Sequence, residues 1–197
     1  MDVVAALVVA YLLGSFPTAV IVARLATRGA VDIRQAGSGN PGALNTLGVL
    51  GAKWGAVVLI VDVGKAVVAC VIARIVAGPT AAEFAGSAAV IGHCFPVWTK
   101  FRGGGKGVAS CGGQCLATFP VYTPVAIAVA VLSSRASFAK RAYLAGLLAG
   151  GAWVATAAVW VALDLPNAWG PKPTLSLALS AAVSSAVMIY KFEVARR

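Results

Sequence analysis

Long apolar runs, broken by short clusters of charge, glycine and proline, set the pattern of this chain. Seven of them predict helices, near residues 3–25, 54–76, 83–98, 107–118, 120–134, 141–163 and 175–191. A membrane-spanning helix takes about 20 apolar residues. Seven spans therefore use most of the 197 residues and leave no room for a second, soluble domain, so residues 1–197 read as a single integral membrane domain. Several runs are shorter than a full span. Their ends must be tilted, re-entrant or sheltered by protein, because unpaired backbone is not tolerated against lipid. Pro17, Pro96, Pro120 and Pro124 mark kinks or breaks. No internal repeat is visible, so a transporter built from inverted repeats gains no support.

Composition strengthens this reading. Hydrophobic residues make up 60% of the chain and charged ones 11%, with a mean hydropathy of +0.89. A soluble domain is about half apolar and a quarter charged, so a soluble globule, a disordered chain and a disulfide scaffold are all excluded. Asp2 stands where a signal peptide would carry basic residues, so residues 3–25 are expected to remain as the first span.

Charge sets the expected orientation. There are 16 Lys and Arg against 6 Asp and Glu, a net charge of +10. In a membrane protein this excess points to positive-inside topology and an anionic substrate rather than to nucleic acid. Arg24, Arg28, Arg34, Lys53, Lys100, Arg102, Lys106, Arg135, Lys140, Arg141, Lys191, Arg196 and Arg197 fall on one side. Only Arg74 and Lys172 fall on the other, and Lys65 lies within a span. The split predicts an all-α polytopic protein of about seven transmembrane helices, amino terminus outside and carboxyl terminus cytoplasmic.

Two loops on the predicted cytoplasmic side carry candidate chemistry. The first runs from Asp32 to Asn45. Gly37, Gly39 and Gly42 permit a backbone nest of N–H groups, Ser38, Asn40 and Asn45 add side-chain donors, and Arg34 adds a full charge. That set suits a phosphate, and it equally suits a turn joining two spans. The second runs from Gly92 to Gly107. Gly104, Gly105 and Lys106 sit at the mouth of the next helix, where anions are favoured, with Arg102 close by. The Walker spacing is absent. His93 is the single histidine; with no carboxylate beside it in sequence, it reads as a hydrogen-bond donor more readily than as a base. Asp62 and Lys65 lie three apart on one face of the second span and read as an ion pair or as part of a polar groove. Cys70, Cys94, Cys111 and Cys115 lie in apolar surroundings and read as buried thiols, although a zinc set with His93 is possible on paper. Six carboxylates leave little scope for paired acid–base catalysis or a carboxylate metal cage, and neither a metal nor a cofactor is expected.

Taken in order, these segments resemble the bacterial membrane acyl-phosphate:glycerol-3-phosphate acyltransferases. The resemblance rests on Gly14-Ser-Phe-Pro17, Asp32-Ile-Arg34, the Gly37–Asn45 segment, Asp62-Val-Gly-Lys65, Gly92-His-Cys-Phe-Pro96 and Phe101–Ala109, and covers roughly residues 10–110. It implies a small seven-helix protein of the bacterial inner membrane. It also implies acyl phosphate and sn-glycerol 3-phosphate as substrates, with 1-acyl-glycerol 3-phosphate and phosphate as products and no covalent acyl-enzyme. The glycine-rich motifs would bind phosphate. The chain departs from the family pattern at four places: Leu44 replaces a Thr, Gly48 replaces a phosphate-gripping Arg, Gly103–Gly105 make three glycines where two are usual, and a third motif with His and Asn is missing around Tyr190–Arg197. The competing expectation is a non-catalytic relative that keeps a lipid-phosphate groove and binds a protein partner in the bilayer. A transporter is a weaker third.

Overall fold

The computed structural model describes residues 2–133 and 138–195. Arg135, Arg196 and Arg197 of the charge count lie outside the described residues. The elements are α1 (Val3–Gly14), α2 (Thr18–Thr27), α3 (Ala43–Leu50), α4 (Ala52–Ala77), α5 (Pro79–Cys94), α6 (Val108–Thr118), α7 (Thr123–Ser133), α8 (Phe138–Ala162) and α9 (Leu175–Val194). Single 3-10 turns lie at Val97–Thr99 and Pro120–Tyr122, and there is no strand among the described residues.

Every predicted helical run holds a helix. The first is broken by Pro17, which separates α1 from α2. α5 stops at Cys94 because Phe95, the residue before Pro96, leaves the helical region (φ −133°, ψ 68°). α3 lies in the segment expected to be loop, where Gly42 and Gly51 bracket eight residues. Four segments are long and apolar enough to cross a membrane: Val3–Thr27, Ala52–Ala77, Tyr143–Ala162 and Leu175–Val194. α5 and α6 are shorter, at 16 and 11 residues, and pack between the longer helices.

The packing inverts the soluble pattern. Large side chains such as Val8, Leu12, Leu59, Ile60, Ile75, Leu148 and Leu179 face outward. The contact between α1, α4 and α5 is made of Ala6, Ala10, Ala66, Ala69, Ala73, Ala85 and Ala89. Lipid removes any hydrophobic reward for hiding large side chains, so helices associate through small residues that let backbones approach. At the α1–α5 crossing a Cβ on Gly14 would stand 2.1 Å from the Ala89 carbonyl oxygen, and one on Gly92 2.2 Å from that of Tyr11. Further along, side-chain hydrogen bonds hold α5, α6 and α9 together. Ser184 Oγ donates to Gln114 Oε1 (2.6 Å), Gln114 Nε2 to the Glu83 carbonyl (3.1 Å), and Ser87 Oγ to the Ser180 carbonyl (3.0 Å).

Candidate active-site cleft

The break between α1 and α2 exposes backbone that helix would otherwise consume, and buried side chains of α4 and α5 meet it. Lys65 Nζ donates to the Phe16 carbonyl at 3.2 Å. It also lies 2.8 Å from Asp62 Oδ1 and 2.8 Å from His93 Nδ1. Thr18 Oγ1 donates to Asp62 Oδ1 at 2.9 Å. Asp62 is 1% exposed, Lys65 8% and His93 9%, so this is a desolvated cluster. An ammonium only donates, so His93 Nδ1 accepts from Lys65 and the neutral ring carries its hydrogen on Nε2. The donor reading of His93 is thereby given a geometry. No carboxylate lies beside His93 in sequence, yet the packing of α4 on α5 brings Asp62 Oδ1, from 31 residues away, to 3.6 Å from Nδ1, with Lys65 Nζ in contact with both.

The second glycine loop folds back over this cluster. The Gly105 N–H donates to the His93 carbonyl (3.1 Å). A Cβ on Gly105 would lie 2.1 Å from His93 Nε2, and one on Gly104 2.2 Å from the Cys94 carbonyl oxygen. These glycines are therefore required for close approach, whatever the loop binds. Between loop and cluster lies a narrow cleft, partly open to solvent. Its walls include Ser15, Thr18, Pro41, Asp62, His93, Thr99 and Gly103–Gly105.

The first glycine loop is braced from inside. Asn45 on α3 accepts from the Ser38 N–H (2.8 Å) and donates to the carbonyls of Ile33 (3.1 Å) and Ala36 (2.9 Å). Gly37 has φ +59°, and a Cβ there would meet Asn45 Oδ1 at 2.4 Å. The Gly39 N–H donates to the Ala36 carbonyl (3.0 Å) and the Gly42 N–H to that of Asn40 (2.9 Å). Three N–H groups of the expected nest thus have acceptors already, and Asn45 acts as a strut rather than as a free donor. Asn45→Ala should lower stability by about 2 kcal/mol, because the loop carbonyls lose a buried partner. Faster trypsin cleavage after Arg34, with a lower Tm, would report it; unchanged cleavage would remove the strut role.

The cations do not all converge. Arg34 forms a two-pronged pair with Asp32, Nε to Oδ1 at 2.9 Å and Nη2 to Oδ2 at 2.7 Å. These hydrogen bonds hold the Asp32 carboxyl down at about 2. Arg34 also lies beside the second loop: a Cβ on Gly103 would be 3.3 Å from its Cδ. Arg102 is exposed, and its carbonyl accepts from Thr99 Oγ1. Lys106 Nζ lies 4.7 Å from the centre of the Phe192 ring on α9. Burial and the nearby charge of Lys191 lower its pKa. Pro41 of the first loop and Gly103–Gly105 of the second line the same cleft. Ser15 belongs to the Gly14–Pro17 segment of the resemblance, whereas no spacing signal marks Thr18 or Thr99.

A family model described as glycerol-3-phosphate acyltransferase matches residues 4–195. A glycerol-3-phosphate acyltransferase of Exiguobacterium sibiricum is 46% identical over 121 residues, 61% of this chain and 57% of that protein. One of Bradyrhizobium diazoefficiens is 46% identical over 136 residues, 69% of this chain and 66% of that protein. The chain spans about three-fifths of the length of the curated relatives it matches. The crystal structure of PlsY (YgiH), an integral membrane glycerol 3-phosphate acyltransferase, in its glycerol 3-phosphate form, is similar with a TM-score of 0.75 and 28% identity. That match covers 98% of this chain and 88% of the other. The lysophosphatidic acid form gives 0.74 at 28% identity, over 96% and 87%.

Proposed function

This chain belongs to the glycerol-3-phosphate acyltransferase family, and on that premise we propose that it moves a fatty acyl group from acyl phosphate to the 1-hydroxyl of sn-glycerol 3-phosphate. The hydroxyl oxygen attacks the acyl carbonyl carbon, the bond from that carbon to the phosphate oxygen breaks, and the departing phosphate carries away the hydroxyl proton. The donor is already activated, so the protein needs to supply only positioning and charge. The observation that carries this reading is the cleft that His93, Asp62, Pro41 and the Gly103–Gly105 loop line together. The glycerol 3-phosphate and lysophosphatidic acid forms of the solved relative support the same substrate class. Within the reading, Gly37, Ser38, Gly39 and Asn40 shape the rim, His93 donates to a phosphate oxygen, and Arg34, Arg102 and Lys106 supply positive charge. The bacterial inner membrane is the setting, with both glycine loops cytoplasmic.

Phosphate release by purified protein given palmitoyl phosphate, with and without glycerol 3-phosphate, tests the activity. Gly48 adds a second arm. A Cβ there meets no atom within 4 Å, so a larger side chain is accommodated on α3. Gly48→Arg should lower the acceptor KM about tenfold, since a charge-assisted hydrogen bond to phosphate contributes about 1.5–3 kcal/mol. No release with any glycerol phosphate, in wild type or in Gly48→Arg, would favour the non-catalytic relative instead. Orientation has its own test: Ser38→Cys and Arg102→Cys, both exposed, should resist membrane-impermeant thiol reagents applied outside intact cells. The four native cysteines are buried and give no background. Ready labelling of both would reverse the topology.

A further inference from the structure

We propose that Asp62 selects the acceptor: its free carboxylate oxygen, Oδ2, takes a hydrogen bond from a hydroxyl of the polyol phosphate in the cleft. This rests on the reading of the cleft as the substrate site, and it gives Asp62 a role beyond ion pairing. The two oxygens of this carboxylate have different surroundings. Oδ1 is crowded by Thr18 Oγ1 at 2.9 Å and Lys65 Nζ at 2.8 Å, with His93 Nδ1 at 3.6 Å. Oδ2 is buried and has no hydrogen-bond partner among the described residues. Leaving a buried carboxylate oxygen unpaired is costly, and a native fold rarely keeps one without use. Asp62 is also part of the cleft wall.

The rest of the cleft says what the missing partner is. It must be a donor, since Oδ2 only accepts. It is not a second cation, because Lys65 already offsets the carboxylate charge within contact distance. A neutral hydroxyl fits. The Gly103–Gly105 backbone lines the same cleft, with Arg34 beside Gly103. A ligand with a phosphate toward that loop and a hydroxyl toward Asp62 spans the site from its basic side to its acidic side.

Asp62→Asn separates this role from the structural one. Asn keeps an Oδ1 that accepts from Thr18 and Lys65, while the Oδ2 position becomes an NH₂ that only donates. Binding of glycerol 3-phosphate, ethyl phosphate and inorganic phosphate to the full chain in detergent is measured by calorimetry, alongside turnover with palmitoyl phosphate. Wild type should bind glycerol 3-phosphate at least tenfold more tightly than ethyl phosphate, which has no hydroxyl. In Asp62→Asn the ligand hydroxyl can only accept from a neutral NH₂, so that preference should fall at least fivefold, with inorganic phosphate affinity within twofold of wild type and the acceptor KM raised by a similar factor. Equal wild-type affinity for glycerol 3-phosphate and ethyl phosphate overturns the inference, even if the variant does not fold. An unchanged preference in folded Asp62→Asn also overturns it, and leaves Asp62 a structural ion pair only. If wild type binds with the expected preference yet acylates nothing, the acyltransferase reading fails while the role of Asp62 stands. If wild type binds no glycerol 3-phosphate, both fall.

Discussion

Gly105→Ala should reduce turnover by about two orders of magnitude. The added methyl would stand 2.1 Å from His93 Nε2 and 2.9 Å from its Cε1. The ring cannot step aside, because Nδ1 is tied to Lys65 at 2.8 Å and the residue is 9% exposed. The loop must therefore lift by more than an ångström, and displacement on that scale costs roughly 100-fold in a positioned reaction. Overpacking of this kind also costs about 1–3 kcal/mol of stability. Steady-state phosphate release and Tm in detergent measure the two effects. Gly112→Ala on α6, where a Cβ meets nothing within 4 Å, is the comparison and should leave Tm within a degree or two. A fully active Gly105→Ala would show that the loop does not rest on His93 during turnover.

Lys65→Met should destabilise the fold by about 3–5 kcal/mol, the range for removing one partner of a buried pair. The loss arises because Asp62, 1% exposed, would be left as an uncompensated charge. Lys65 also closes the break in the first span by holding the Phe16 carbonyl, so the α1–α2 junction loosens as well. The double variant Asp62→Asn with Lys65→Met removes both charges and should recover most of the stability without recovering activity. Thermal unfolding of the single and double variants reads this directly. A double variant no more stable than Lys65→Met would mean that the charge pair is not what the single substitution breaks.

The sequence was sufficient for the parts of this protein that depend on local or one-dimensional physics. Apolar runs near 20 residues predict helices because lipid demands that the backbone pair with itself, and each predicted run holds one. Pro17 and Pro96 end helices for covalent reasons that operate within one or two residues. The order of the glycine-rich segments pointed to the family, which the match over residues 4–195 shows. Asp62 and Lys65 were legible as a pair because three residues is nearly one helical turn.

What only the tertiary structure decided depends on contacts between residues distant in sequence. Asn45 looks like one more donor in a glycine-rich loop, yet α3 aims it inward, where it braces Ile33, Ala36 and Ser38. Lys106 looks like the anion ligand of the second loop, yet its charge lies over Phe192 of α9, 86 positions later. Gly104 and Gly105 read as a phosphate cradle, whereas their first requirement is room against Cys94 and His93. The Asp62–Lys65–His93 cluster and its tie to Thr18 exist because small residues let α1, α4 and α5 approach closely enough for side chains to meet across the break. Periodicity and spacing register which residues share a helix face, and those are properties of one segment. Which faces then meet, and which oxygen of a buried carboxylate is left over, follows from three helices packing at once.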